Sequence, residues 1–212
     1  PGVLLAEDFN TDDAMDLVAM SSSSNTLTFL VKNGNGSFAP TYFQLEYGYR
    51  PSSLVAADFD QDGRVDLAYS DPCTNSITVL INVTAEGTTA VSFEPGFMGF
   101  GDDVTPARLL VGDFDGHRGP DLAFAGAVSN EIYIMFNDGT GLLGDPIGPV
   151  ACSGPVGELA AGDVDLDGKP ELIAALADAN RIEVFSYNEN EGRFGLAESV
   201  ETGRADPVAL IA

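Results

Sequence analysis

Four short runs, Leu27-Thr-Phe29, Ile77-Thr-Val79, Ile132-Tyr-Ile134 and Ile182-Glu-Val184, alternate along the chain between strongly apolar positions and others. Alternation with a period of two predicts a strand with one buried face and one wet face. Each run begins just after an asparagine (Asn25, Asn75, Asn130, Asn180), and each asparagine lies 17 residues after an aspartate (Asp8, Asp58, Asp113, Asp163). Those aspartates are 50, 55 and 50 residues apart. A period of this length signals a propeller or a solenoid rather than one undivided core.

Three more strands per repeat follow from the same register. An apolar run of small residues precedes each aspartate: Val3 to Ala6, Leu54 to Ala57, Leu109 to Gly112 and Leu159 to Gly162. Ala and Gly at its end suit a strand crowded near a propeller axis. A second strand starts at Asp16, Asp66, Asp121 and Glu171, and a fourth follows the turn that ends at Phe38, Phe93, Leu142 or Phe194. Turn residues such as Asn33-Gly-Asn-Gly-Ser37 separate the third strand from the fourth. The main length variation is about five extra residues in one such hairpin, Val83 to Ser92, as expected of an exposed turn. No segment has a helical period. The expected fold is therefore all-β: a β-propeller of four consecutive four-stranded antiparallel blades in a single region, with repeats at about 1–50, 51–105, 106–154 and 155–206. Pro207-Val-Ala-Leu-Ile-Ala212 matches Pro1-Gly-Val-Leu-Leu-Ala6 and reads as the first strand of a fifth repeat, so the chain is expected to be an excerpt of a larger propeller.

Between the first two strands of each repeat lies a nine-residue acidic loop. Oxygens from positions 1, 3 and 5, the carbonyl of 7 and a carboxylate at 9 can converge on a hard cation, while glycine at 6 lets the backbone turn sharply. Calcium suits such a loop better than magnesium, because it accepts more oxygens and looser geometry. Repeat two is complete, with Asp58, Asp60, Asp62, Gly63, the Arg64 carbonyl and Asp66. Repeat four has Asp163, Asp165, Asp167, Gly168, the Lys169 carbonyl and Glu171, whose longer arm still reaches. Repeat one offers Asp8, Asn10, Asp12, the Ala14 carbonyl and Asp16, with Asp13 where glycine is wanted. Repeat three keeps Asp113, Asp115 and Asp121 but carries His117 and Arg118 at positions 5 and 6, so its site is expected to be weak or lost. Neutral imidazole is a poor calcium ligand, and a guanidinium repels the ion. About three calcium ions are expected, and a fourth only if repeat three binds. Without metal, the same acids would form Asx-type turns.

The strings Ala-Asp-Phe-Asp-Gln-Asp-Gly-Arg-Val-Asp-Leu-Ala (57 to 68) and Gly-Asp-Val-Asp-Leu-Asp-Gly-Lys-Pro-Glu-Leu-Ile (162 to 173) resemble the FG-GAP or VCBS repeats of integrin alpha-subunit-like β-propellers. The resemblance runs from end to end of the chain. It implies calcium in the first hairpin of each blade on one face, ligand contacts on the opposite face, and a ring of about seven blades. It carries the metal positions onto Asp58, Asp60, Asp62, Arg64 and Asp66, onto Asp163, Asp165, Asp167, Lys169 and Glu171, and onto Asp8, Asn10, Asp12, Ala14 and Asp16.

Charge narrows the partners. Thirty-three acidic residues against nine Lys and Arg give a net charge of -24, which argues against nucleic acid and anionic membranes. Fourteen of those 33 acids occupy proposed ligand positions, so bound cations would relieve much of the repulsion. On the opposite face, Tyr47, Tyr49 and Arg50 form the leading candidate recognition cluster for a glycan or protein ligand, with Asp102 and Asp103 facing it from the next loop. End blades left uncovered would favour association with other chains. The sequence has one histidine and shows no nucleophile motif and no phosphate-cradling loop, so the expectation is a non-catalytic adhesion or recognition module. The propeller portion of a polysaccharide lyase or hydrolase, and a structural cell-surface or filament subunit, are the alternatives. Loops of this kind stay filled only at extracellular calcium levels, which places the protein outside the cell. Asn35-Gly-Ser37 and Asn82-Val-Thr84 are glycosylation sequons, meaningful in a eukaryotic secretory host. Cys73 and Cys152 fall two blades apart and are not expected to pair.

Overall fold

The computed structural model describes residues 2–45, 50–100, 104–127, 129–177 and 179–203, except for the Phe97 side chain. The described residues form four four-stranded antiparallel sheets and no helix. In the first, β1 (Val3–Glu7), β2 (Asp16–Ser21), β3 (Thr26–Lys32) and β4 (Phe38–Gln44) pair in chain order. The second orders β5 (Ser53–Ala57), β6 (Asp66–Asp71), β7 (Ser76–Asn82) and β8 (Phe93–Gly99) in the same way. The third contains β9 (Pro106–Gly112), β10 (Asp121–Gly126), β11 (Glu131–Met135) and β12 (Ile147–Ala151). The fourth contains β13 (Val156–Gly162), β14 (Glu171–Leu176), β15 (Arg181–Asn188) and β16 (Arg193–Glu201). Each sheet is one propeller-type blade. The partial fifth repeat lies outside the described residues.

The expected alternation holds in β3, where every second residue is buried, but not in β7, where six of seven positions are buried. Gly141 packs closely on the one residue of β7 that stays half-buried: an added Cβ would lie 2.6 Å from Ile81 Cδ1. The fourth strand of repeat three also departs from expectation. Leu142 is exposed, its neighbour Leu143 is buried and bridges Asn137, and regular pairing begins only at Ile147.

The chain divides into two compact units, one of Pro1–Ala107 with Thr140–Leu142 and one of Arg108–Gly139 with Leu143–Ala212. Each core sits between successive blades rather than within one. In the first unit, Phe9 from the loop of blade one meets Phe29 at 5.3 Å, and Phe29 stacks on Phe93 of blade two at 5.3 Å. In the second, Phe114 meets Phe194 at 5.8 Å, and Phe136 meets Tyr187 at 5.0 Å. Phe9, Phe59 and Phe114, all at position 2 of an acidic loop, are fully buried. Each therefore anchors its loop to the apolar core.

The recurring asparagine is a turn residue. Asn25, Asn75 and Asn180 have φ near 50°, a left-handed conformation that asparagine tolerates better than most residues. In all four blades its carbonyl accepts an N–H from just past the fourth strand, from Leu45, Phe100, Cys152 and Thr202. This bond ties the third strand's entry to the blade's outer edge.

Candidate metal centres

Loops two and four share one hydrogen-bond pattern. Asp58 accepts from Asp62 N at 3.1 Å and Gly63 N at 2.9 Å, and Asp163 accepts from Asp167 N and Gly168 N, both at 3.0 Å. Asp60 and Asp165 accept from the same position-5 N–H groups at 3.2 and 3.1 Å. The position-5 acids, Asp62 and Asp167, accept from Arg64 N and Lys169 N, each at 2.9 Å, which fixes the backbone at position 7. Two residues per loop are left-handed, Gln61 and Gly63 in one, Leu166 and Gly168 in the other. Sequence reading anticipated only the second of each pair. The available signal for the first was Gly116, which stands at position 4 in repeat three with φ 72°.

Three groups of carboxylates converge among the described residues: Asp58, Asp60 and Asp62; Asp163, Asp165 and Glu171; and Asp113, Asp115 and Asp121. In each group, one oxygen per residue lies within 4.8 Å of the others. Repeat three thus gathers its aspartates as closely as the complete loops do. His117 is exposed, and its Nδ1 lies 2.7 Å from the Asp115 carbonyl oxygen. Arg118 takes the left-handed position 6 with φ 64°. Loop one gathers no such triad. Asp8 accepts from Asp12 N at 3.2 Å and Asp13 N at 2.7 Å, Asp12 accepts from Ala14 N at 2.9 Å, and Asp13 adopts φ 63° in place of glycine. Asn10 is buried, with its Oδ1 unpartnered.

Side chains at position 7 bring cations to the rim. The Arg64 guanidinium pairs with Asp62 Oδ2 and donates through Nε to the Asn82 carbonyl at 2.6 Å. The Lys169 ammonium pairs with Glu189.

The closing acid has a role that spacing did not reveal. Asp16, Asp66 and Asp121 are fully buried. One oxygen of each accepts from the backbone N–H at loop position 2: Phe9 at 3.2 Å, Phe59 at 2.8 Å and Phe114 at 2.9 Å. The other accepts from the third strand's end: Lys32 at 2.7 Å, Asn82 at 2.7 Å and Asn137 at 2.9 Å. Each partner lies 16 residues beyond its acid. Glu171 keeps the loop bond, to Val164 N at 2.8 Å. Burial pushes the Asp66 carboxyl up to about 6, and the Asp60 charge adds to the rise. Burial likewise pushes Asp121 up to about 7, with Asp115 contributing. Backbone donors in both sites oppose the rise without cancelling it.

Such a donor set fits a hard cation. It is all oxygen, its carboxylates repel one another, and burial holds the closing acids Asp66 and Asp121 above the ordinary carboxylate range.

Of the expected recognition cluster, Tyr47, Tyr49, Asp102 and Asp103 lie outside the described residues. Arg50 is exposed, and its backbone N–H donates to buried Asp71 at 2.6 Å. Cys73 and Cys152 are free thiols, and burial pushes Cys152 up to about 12. Asn82 is fully buried and donates to the Phe9 and Val65 carbonyls, both at 2.9 Å, so its sequon is closed to modification in the folded protein. Asn35 is exposed.

The FG-GAP-like repeat profile matches residues 8–69 and 113–174, two windows that each hold two acidic loops or their flanking strands. The chain belongs to the FG-GAP-like repeat family. No curated protein sequence matches it. Among solved structures, this FG-GAP-like protein is similar to a protein from Lactobacillus plantarum, at TM-score 0.61 and 15% identity, covering 88% of the chain and 54% of that structure. It is similar to a periplasmic gluconolactonase from Pseudomonas aeruginosa, at TM-score 0.60 and 18% identity, covering 93% and 56%. A putative 6-phosphogluconolactonase from Bacteroides uniformis gives TM-score 0.51 and 15% identity, covering 92% and 70%. The FG-GAP-like chain thus spans little more than half the length of two of these.

These likenesses support the propeller fold and correct one expectation. The sequence reading of a non-catalytic module does not stand, because two structures sharing this architecture are named as lactonases. Chemistry on such a fold resides in sites built from residues far apart in sequence, which local motifs do not mark. No helix among the described residues is long and apolar enough to cross a membrane.

Proposed function

We propose that this FG-GAP-like protein is a calcium-binding propeller module of the extracellular space that presents a recognition surface on the face opposite its acidic loops. The observation that carries the calcium reading is the convergence of three carboxylates within 4.8 Å in each of loops two and four, with the closing acid, Asp66 beside the triad in one and Glu171 within it in the other, held in place by backbone bonds. Asp58, Asp60, Asp62 and Asp66 would hold one ion, and Asp163, Asp165, Asp167 and Glu171 another, with the Arg64 and Lys169 carbonyls completing the sets. Asp8, Asn10, Asp12, Ala14 and Asp16 would hold a third. Bound calcium supplies positive charge to buried carboxylates and rigidity to the hairpin.

A glycan or protein is the proposed partner, with Tyr47, Tyr49 and Arg50 as first contacts, and uncovered end blades are available for association. Melting with calcium and with chelator tests the metal reading. The midpoint rises in calcium by the mass action of several filled sites, each adding about 2.7 kcal/mol at a hundredfold excess over its Kd. An unchanged midpoint refutes filled structural sites.

A further inference from the structure

The sequence departs from its own repeat in two places 78 residues apart, and the two meet in the structure. One is Asn10, where loops two, three and four have aspartate; the other is the lengthened hairpin Val83 to Ser92. Asn10 Nδ2 donates to the Thr88 carbonyl at 2.9 Å, and the Asn10 carbonyl accepts from Gly87 N at 2.7 Å. An ionised aspartate has no N–H to give Thr88, so the amide is what this contact requires. Beside it, Thr41 Oγ1 donates to the Thr89 carbonyl at 3.1 Å and Asn82 Nδ2 to the Phe9 carbonyl at 2.9 Å. The extra residues are thus strapped across the first acidic loop rather than extended into solvent as an ordinary turn insertion would be.

The Asn10 side chain belongs to the loop as well as to the strap. It is 1% exposed, its Nδ2 also donates to Asp12 Oδ2 at 3.1 Å, and its Oδ1 is buried with no hydrogen-bond partner. An orphaned amide oxygen beside Asp12 is what a hard cation would satisfy, and it is independent of the acid spacing.

We propose that residues 83–92 are a calcium-responsive clasp between blades one and two. A cation held by Asp8, Asp12, Asp16 and Asn10 Oδ1 fixes the Asn10 amide in the orientation that grips Thr88. Calcium uptake and strap docking are then linked equilibria, each strengthening the other. Repeat one gives up one ligand charge and gains a joint between blades. This inference rests on the calcium reading above and is tested separately from it.

The experiment is digestion of the whole chain by a glutamate-specific protease, with cleavage after exposed Glu86 in the strap followed by mass spectrometry. Calcium is expected to slow that cut about tenfold relative to chelator, within the range for coupled sites. Asn10→Asp keeps a ligand oxygen but removes the donor. Its melting midpoint still rises with calcium, while its cut after Glu86 no longer responds. If calcium raises the wild-type midpoint but leaves the Glu86 cut unchanged, the clasp is refuted and the calcium reading survives. If neither changes, both fall. If Asn10→Asp is protected as well as wild type, general stabilisation explains the protection and the clasp is refuted.

Discussion

Asp60→Ala separates the metal role of a loop carboxylate from any structural one. The half-buried Asp60 accepts a long hydrogen bond from Asp62 N at 3.2 Å, whereas its pKa is raised by burial and by Asp62 and Asp58. In chelator, losing that long bond costs about 0.5–1.5 kcal/mol, offset by relief of like-charge repulsion, so the net change is about 1 kcal/mol or less. In calcium the variant also loses an anionic ligand. If the weakened site empties, the loss is about 2.7 kcal/mol for a site previously held at a hundredfold excess over Kd. For a cooperative unit of about 100 residues, that corresponds to a midpoint roughly 10–20 °C lower in calcium and only a few degrees lower in chelator. Differential scanning calorimetry in the two buffers reads both numbers. Equal losses in the two buffers would show that Asp60 serves the turn alone and that the carboxylate cluster is not a metal site. Asp115→Ala runs in parallel, and because His117 and Arg118 weaken loop three, its calcium-dependent loss is expected to be the smaller.

Three other outcomes follow from the same geometry. Asp66 near 6 and Asp121 near 7 lie above the ordinary carboxylate value of 3.8, so the folded state holds their protons more tightly than the unfolded chain does. The calcium-free protein therefore gains stability as pH falls from about 7.5 to 5, and a chelator melt that drops over that window contradicts the assignment. Asn82→Ala strips donors from the Phe9 and Val65 carbonyls and an acceptor from Thr84 N, three bonds at 2.9 Å of which two are buried and one is partly buried, and is expected to cost about 3 kcal/mol in urea denaturation. Replacing Tyr47, Tyr49 and Arg50 together by alanine should weaken glycan or protein capture without lowering the melting midpoint, and undiminished capture on a glycan array or in a pull-down rejects that surface.

Much of this fold was legible because its repeat is rigidly spaced. Strand starts at Asp16, Asp66, Asp121 and Glu171 coincide with the residues that open β2, β6, β10 and β14. The loop backbone was half legible: Gly63 and Gly168 announce one left-handed residue, while Gln61 and Leu166 adopt the other without a glycine to mark it. The second set of bonds made by Asp66 was hidden because its partner, Asn82 N, is a backbone group that no side-chain pattern reports. The strap over loop one was hidden for a related reason. Its contacts with Asn10 run through the Gly87 N–H and the Thr88 carbonyl, so only the added length of the hairpin showed in the sequence. The non-catalytic expectation failed because catalytic constellations on this architecture need not be contiguous in the chain.

The ninth carboxylate of each loop is held by backbone amides on one or both of its oxygens before any ion arrives. An arriving ion therefore meets a partly assembled coordination shell, and the ordering entropy of that arm has been met during folding rather than during binding. This differs from small metal-dependent domains, in which ligation and folding are one event. Emptying these loops would soften the hairpins while the blades persist, so swings in ion concentration would change local stiffness and surface charge more than topology. With 33 acidic residues on the chain, each ion released would also add to the repulsion among those that remain, coupling the loops through the field of the whole molecule.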